Sequence, residues 1–253
     1  MPVTIGADDP LAVAVTTAIR TGDLAALDRL LADHPELATA RIREHTPNGT
    51  VDNARTLLHV ATDWPGHFPH GPATVAVLVE AGADVNARFE GAHRETPLHW
   101  AASSDDVDVI DALLDAGADI EAPGAVTDGG TPLCDATAFA QWRAAFRLVE
   151  RGATTTIFTA ATLGLQDRVA ACFTLPAPPG PTEINAAFWG ACHGGRLPTA
   201  RYLAARGADI NWIAPWEPAT PLDAAQRTSP DAHDLIHWLR DQGGRPARDP
   251  STS

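Results

Sequence analysis

The chain has 253 residues, 45% of them hydrophobic, enough to bury a core in one or two domains. It sets 32 acidic residues against 18 basic ones, for a net charge of −14 and a pI near 4.9. That balance repels phosphate backbones and anionic lipid, so neither nucleic acid nor a membrane surface is an expected partner.

The opening residues, MPVTIGADDP, carry no basic n-region and no apolar h-region. No apolar run approaches the ~20 residues that span a bilayer. Cys134, Cys172 and Cys192 are an odd number without a framework spacing, which reads as free thiols in a reducing cytoplasm. The expected location is therefore cytoplasmic.

In chain order, the first helical pair is expected at about 8–40: Gly22-Asp23-Leu24 separates two helices, and the second carries Leu27, Leu30 and Leu31. Thr56-Leu57-Leu58-His59 opens a second pair, Thr96-Pro97-Leu98-His99 a third and Thr131-Pro132-Leu133-Cys134 a fourth. These close on Gly82-Ala83-Asp84, Gly117-Ala118-Asp119 and Gly152-Ala153-Thr154, whose glycines stand 35 residues apart. A fifth pair, about 157–183, lacks both signatures and runs into the Pro-rich stretch 175–181. The sixth, Asn185–Asn211, ends through Gly207-Ala208-Asp209, and the seventh, 220–244, opens with Thr220-Pro221-Leu222-Asp223. Residues 245–253 read as a disordered tail.

These strings resemble the ankyrin motif T-P-L-H-x-A and its following G-A-D-V/I-N. The resemblance implies an all-α ankyrin-repeat solenoid of about seven helix–turn–helix units with extended loop/β-turn fingers, one domain over 1–244, and a concave groove that holds a partner. The absence of lysine among the basic residues resembles the codon bias of a high-GC bacterial genome.

The chemistry of one unit agrees with that reading. Thr96 can cap a helix start, and Pro97 fits the first helical position, where its missing N–H costs nothing. Leu98, Ala101 and Ala102 form one small apolar face; Val107, Ile110, Leu113 and Leu114 form a second at helical spacing. Leu113 is thus expected in the core, with Asp111 and Asp115 facing solvent. Gly117 ends the helix in the left-handed conformation glycine tolerates.

Function is expected where units depart from the consensus. The fingers are long, with nine residues between Asn86 and Thr96, nine between Glu121 and Thr131, and eight from Trp212 to Ala219. The insertion PGHFPHGP after Trp64, with His67, Phe68 and His70, splits one hairpin and is expected to project from the groove side or over its rim. Aligned back from the closing glycines, Asp63, Trp64, Ala138, Phe139, His193 and Gly194 take the variable groove-facing positions. Trp100 and Asp135 replace a usual aliphatic residue, with Trp142 and Trp189 nearby. Asp63, Trp64, Trp100 and Asp135 are expected to be able to line one pocket. By resemblance, His59 and His99 are the structural histidines that hydrogen-bond between loops, and Asp223 is a terminal-repeat carboxylate. Phe89, His93, Trp212 and Trp216 lie in fingers, where exposed aromatics often mean binding.

The sequence has no H-E-x-x-H, no G-x-S-x-G, no phosphate-binding glycine loop and no C-x-x-C. No metal, cofactor or catalytic residue is assigned. The favoured reading is a monomeric binding module for an unknown protein or peptide. Its expected binding residues are Trp64, His67, His70, Phe89, Trp100, Asp135, Phe139, Trp142, Trp189, His193, Trp212 and Trp216. The alternative is a small-ligand protein or enzyme on the same scaffold, with Asp135, His193 or Asp63 as acid–base groups among tryptophans. A third reading is a self-associating structural adaptor.

Overall fold

The computed structural model of the protein describes residues 3–45, 52–127 and 129–247. It divides into two compact units, Met1–Ala153 and Thr154–Ser253. The first holds four antiparallel helical pairs: α1 (Pro10–Thr21) with α2 (Leu24–Asp33), α3 (Leu57–Thr62) with α4 (Gly71–Glu80), α5 (Pro97–Ser103) with α6 (Val107–Asp115), and α7 (Pro132–Ala138) with α8 (Trp142–Glu150). The second holds three: α9 (Ile157–Leu163) with α10 (Gln166–Cys172), α11 (Pro181–His193) with α12 (Leu197–Ala204), and α13 (Pro221–Thr228) with α14 (His233–Asp241). The seven expected pairs are all present.

Most of the helices start where the sequence supplies a cap or a first-turn proline. Asp9, Asp23 and Asp106 accept backbone N–H groups from the first turns of α1, α2 and α6. Pro97, Pro132, Pro181 and Pro221 occupy the first position of α5, α7, α11 and α13. Helix α11 therefore begins four residues earlier than the sixth unit was expected to, at the end of the Pro-rich stretch. There the Gly180 N–H donates to Glu183 Oε2 at 2.9 Å.

Leucines and alanines at helical spacing fill the space between neighbouring pairs. Leu98, Ile110 and Leu113 are fully enclosed, as is Phe188 in the second unit. The Gly-Ala-Asp signatures serve a second purpose, because the asparagine that follows links adjacent fingers. Asn86 Oδ1 accepts the Asp119 N–H at 2.8 Å while its amide donates to Gly117 O; Asn211 does the same with Arg245 N–H and Gly243 O. The Ala247 N–H also donates to the Asp223 carboxylate. Residues 245–247 are thus tied to the last pair, and the rest of the expected disordered tail lies outside the described residues.

The repeat pattern did not indicate a sheet, yet the first unit contains one. Strand β1 (Thr4–Gly6) pairs in parallel with β2 (Arg41–His45), which pairs antiparallel with β3 (Asp52–Thr56). An isolated bridge between Ala54 and Glu90 joins the first long finger to β3. The signal was short: Ile42 points inward between Arg41 and Arg43, and Ala54 between Asn53 and Arg55, a period of two over only a few residues.

The loop that splits the second pair does not project freely. The His67 N–H donates to Asp106 Oδ2 at 2.7 Å and its ring meets Ser104 O at 3.1 Å, so the loop lies on the turn of the next pair. Trp64 and His70 remain on its outer side.

Asp111 also differs from expectation. Its carboxylate accepts from Nε and Nη2 of Arg147 and from Nη1 of Arg151, which also reaches Asp115. The contact to Arg147 on α8 and to Arg151 just past its end clips α6 to α8 and holds the Asp111 pKa below the usual carboxylate value. Asp111→Ala is expected to cost about 1 kcal/mol by urea denaturation, with the loss shrinking at high salt because the network is partly exposed. An unchanged midpoint at low salt would show the network to be idle.

Candidate functional site

Finger-to-finger geometry in the first unit starts from two histidines. The Thr56 hydroxyl lies 2.9 Å from His59 Nδ1, and the Thr96 backbone N–H donates to His99 Nδ1 at 3.1 Å. With Nδ1 accepting, Nε2 carries the hydrogen and donates across to the next finger: His59 to Glu95 O at 3.2 Å, His99 to Gly130 O at 3.3 Å. Burial depresses both rings, to about 3 for His59 and about 4 for His99, so both stay neutral donors. This agrees with the structural role implied for them.

Against these rings sits a small nest. His59 and Trp100 meet edge-on at 5.0 Å between centroids, and Phe89 closes on Trp100 at 5.2 Å. Burial raises the pKa of the Glu95 carboxyl, with the Trp100 indole N–H acting against it. Asp135, on α7, is 0% exposed. Its Oδ1 accepts the Val126 N–H at 3.1 Å, and its Oδ2 is enclosed without a hydrogen-bond partner. Burial first, and the Glu95 charge second, push the Asp135 pKa up to about 7.

The structure therefore brings Trp100 and Phe89 together and adds Glu95, whose charge reaches Asp135; as an ordinary loop glutamate, Glu95 gave no signal in the sequence. It does not bring Asp63 and Trp64 there. Asp63 accepts from Arg20 and Arg55, each at 3.0 Å, and Trp64 stands 79% exposed in the 63–70 loop. Phe139 caps the end of α7 and is exposed; Trp142 is half-buried at the start of α8. Between the two long fingers lies a cleft of about 500 Å³ lined by Arg88, His93, Arg94 and Pro123, together with Gly124. Gly124 is held to glycine twice over, by its φ of 128° and by Arg94 O, which would sit 2.3 Å from a Cβ.

In the second unit the aromatic residues converge on the last finger. Trp216 meets Trp212 at 5.5 Å, Trp189 at 5.6 Å and Phe158 at 5.8 Å. Trp189 is buried, and its indole N–H donates to Ala219 O at 3.1 Å. Ala219 immediately precedes Thr220, as Glu95 precedes Thr96 and Gly130 precedes Thr131. The indole thus makes the bond that the imidazoles of His59 and His99 make in the first unit. His193 is also buried, stacked on Trp189 at 5.3 Å and 14°, with Nδ1 3.0 Å from Thr228 Oγ1. It does not stand on an open variable surface as its alignment suggested, and neither does Gly194, where a Cβ would fall 1.9 Å from Thr162 O. Trp216 and Ile213 stay at the surface, each 53% exposed.

Helical pairs joined by fingers, with a capped Thr-Pro start and histidine or asparagine links from finger to finger, recur through both units. Residues 93–125 match the family model of the ankyrin repeat. This is an ankyrin-repeat fold. The crystal structure of the human ASB11 ankyrin repeat domain superposes with a TM-score of 0.51 at 23% identity, over 97% of this chain and 94% of that one. The ankyrin fold explains Thr96, His99 and Asn86; it does not explain Asp135, Glu95 or Trp216. Among the described residues, no group of three or more His, Cys, Asp or Glu is placed to hold a metal ion, and no helix is long and apolar enough to cross a membrane.

Charge is unevenly shared between the two ankyrin units. Residues 1–153 hold 23 acidic residues against 10 arginines, net −13, and residues 154–253 hold 9 against 8, net −1.

Proposed function

We propose that the chain is a binding module that holds a protein or peptide partner on its aromatic-rich groove and finger side, with Trp216 as an anchor. Ankyrin repeats in general mediate protein–protein interaction, which supports the class of function but names no partner. The observation that carries the reading is Trp216 itself, half exposed beside exposed Ile213 and backed by Trp212, Trp189 and Phe158. A large ring presented on a rigid aromatic base loses little conformational freedom on docking, which is the pattern of binding hot spots. The acidic excess in residues 1–153 supports a partner with basic segments and disfavours nucleic acid.

A photo-reactive side chain at position 213 is expected to capture the partner in extracts, while the same probe at Asp108, on the outer face of α6, captures none. Once the partner is identified, Trp216→Ala should weaken its affinity by at least tenfold and leave the thermal midpoint nearly unchanged. Capture at Asp108 alone, or full affinity in Trp216→Ala, would remove this surface from the function.

The reading as a small-ligand protein or enzyme has Asp135 in its favour, since a carboxyl that titrates near 7 suits proton transfer. Against it stands the enclosure of that carboxyl. Arg88, His93 and Arg94 line the neighbouring cleft, and Asp135 does not.

A further inference from the structure

A carboxyl group enclosed away from water must find a cation or keep its proton. Asp135 is 0% exposed, and among the described residues no arginine or histidine forms an ion pair with it. The charged groups on the elements around it are engaged elsewhere. On α8, Arg143 and Arg147 pair with Asp105 and Asp111. On α5, His99 is neutral. In the finger before α5, Arg88 donates to the carbonyls of Arg94 and Pro123, and His93 acts on Glu95 from the surface. The charge that does act on Asp135 is that of Glu95, itself only 8% exposed.

Two carboxylates ionised together in so closed a place would repel without solvent to screen them. One oxygen is available to prevent this. Asp135 Oδ1 is occupied by the Val126 N–H, while Oδ2 is buried and has no partner. We propose that Asp135 and Glu95 hold a single proton, carried on Asp135 Oδ2, and that this proton latches the finger segment of residues 122–127 onto α7.

The finger is the part that gives way because it covers the pair. Its Val126 N–H is bonded to Asp135 Oδ1, whereas the bonds from Gly124 to Gly129 and from Ala125 to Gly130 are internal to it. Ionisation would strengthen the pull of the backbone N–H groups of Val126 and Thr127, which by themselves favour the anion. Burial and the Glu95 charge outweigh them, as the net upward direction at Asp135 requires. Losing the proton therefore leaves an unscreened pair whose relief is to admit water, and water enters by loosening the finger. The sign follows: with its pKa raised in the folded state, Asp135 contributes stability in acid that is lost as pH rises through about 7.

Asp135→Asn tests this, because its amide oxygen can accept from Val126 while its NH₂ stands where the protonated Oδ2 stood. In the parent, hydrogen exchange at Val126 and Thr127, corrected for intrinsic rates, should speed up several-fold between about pH 6 and about pH 8, and the thermal midpoint should fall. In Asp135→Asn both should be flat over that span, and a protonated-carboxyl infrared band seen in the parent at the acid end should be missing. Glu95→Gln gives a second arm that survives any folding defect in the first: removing its charge should move the transition to lower pH. A parent without the acid-end band would overturn the proposal. So would an Asp135→Asn variant that keeps the parent's pH dependence, or a Glu95→Gln variant whose transition does not move.

Discussion

Trp189→Ala should cost about 3–5 kcal/mol in urea denaturation, the range for removing a large buried aromatic side chain. Trp189 is 3% exposed, packs with Ala214, Ala219 and Ala224, and stacks on His193. Truncation would open a cavity and also strand the Ala219 carbonyl that its indole N–H satisfies. The two losses can be separated. Trp189→His keeps a ring N–H at the position where His59 and His99 reach the equivalent carbonyls, so it should recover about 1 kcal/mol or more of the loss. Equal midpoints for the two variants would show that packing alone holds the last finger.

Gly194→Ala should be comparably damaging, on the order of 3 kcal/mol, for a reason unconnected with packing volume. Gly194 has an ordinary φ of −80°, so any residue could adopt its backbone conformation. What forbids a side chain is the backbone carbonyl oxygen of Thr162 on α9, 1.9 Å from the Cβ that alanine would bring at the end of α11. Gly207→Ala supplies the contrast. There φ is 92° and nothing lies within 4 Å, so the cost should be only the left-handed strain, about 1–2 kcal/mol. Thermal midpoints that ranked the two variants the other way would place the close approach of α11 to α9 in error.

These two positions also mark where the sequence was legible and where it was not. Thr-Pro-Leu-His and Gly-Ala-Asp are local signals: cap, first-turn proline, buried leucine and helix-ending turn all lie within one pair, so the pairs could be read directly. Trp189 and Gly194 depend on register across pairs. Counting back from Gly207 put His193 and Gly194 on an open face. That register is sound, since Gly207 and Gly195 stand as far from Trp189 as Gly117 and Asp105 stand from His99; what it does not show is that Thr162, Thr228 and Trp189 close over the two residues. Asp111 looked solvent-facing because Arg147 and Arg151, its partners, lie 36 and 40 residues on. Asp135 did stand out as a carboxylate in an aliphatic place. Its coupling to Glu95 did not, since nothing in a loop glutamate announces that it will be buried. The sheet was missed because β1 has three residues and its partner β2 comes only after the first helical pair.

The finger-to-finger hydrogen bonds carry a consequence for how the chain folds. His59 to Glu95, His99 to Gly130, Asn86 to Asp119, Trp189 to Ala219 and Asn211 to Arg245 span 36, 31, 33, 30 and 34 residues. Each closes a loop of nearly the same length, and the entropy of closure grows only with the logarithm of that length. Neither unit has to wait for distant segments to meet before its links can form. A formed pair is a template for its immediate neighbour, so structure can spread in either direction from whichever pair orders first, and the rate should depend on the weakest neighbouring contact more than on the size of the protein.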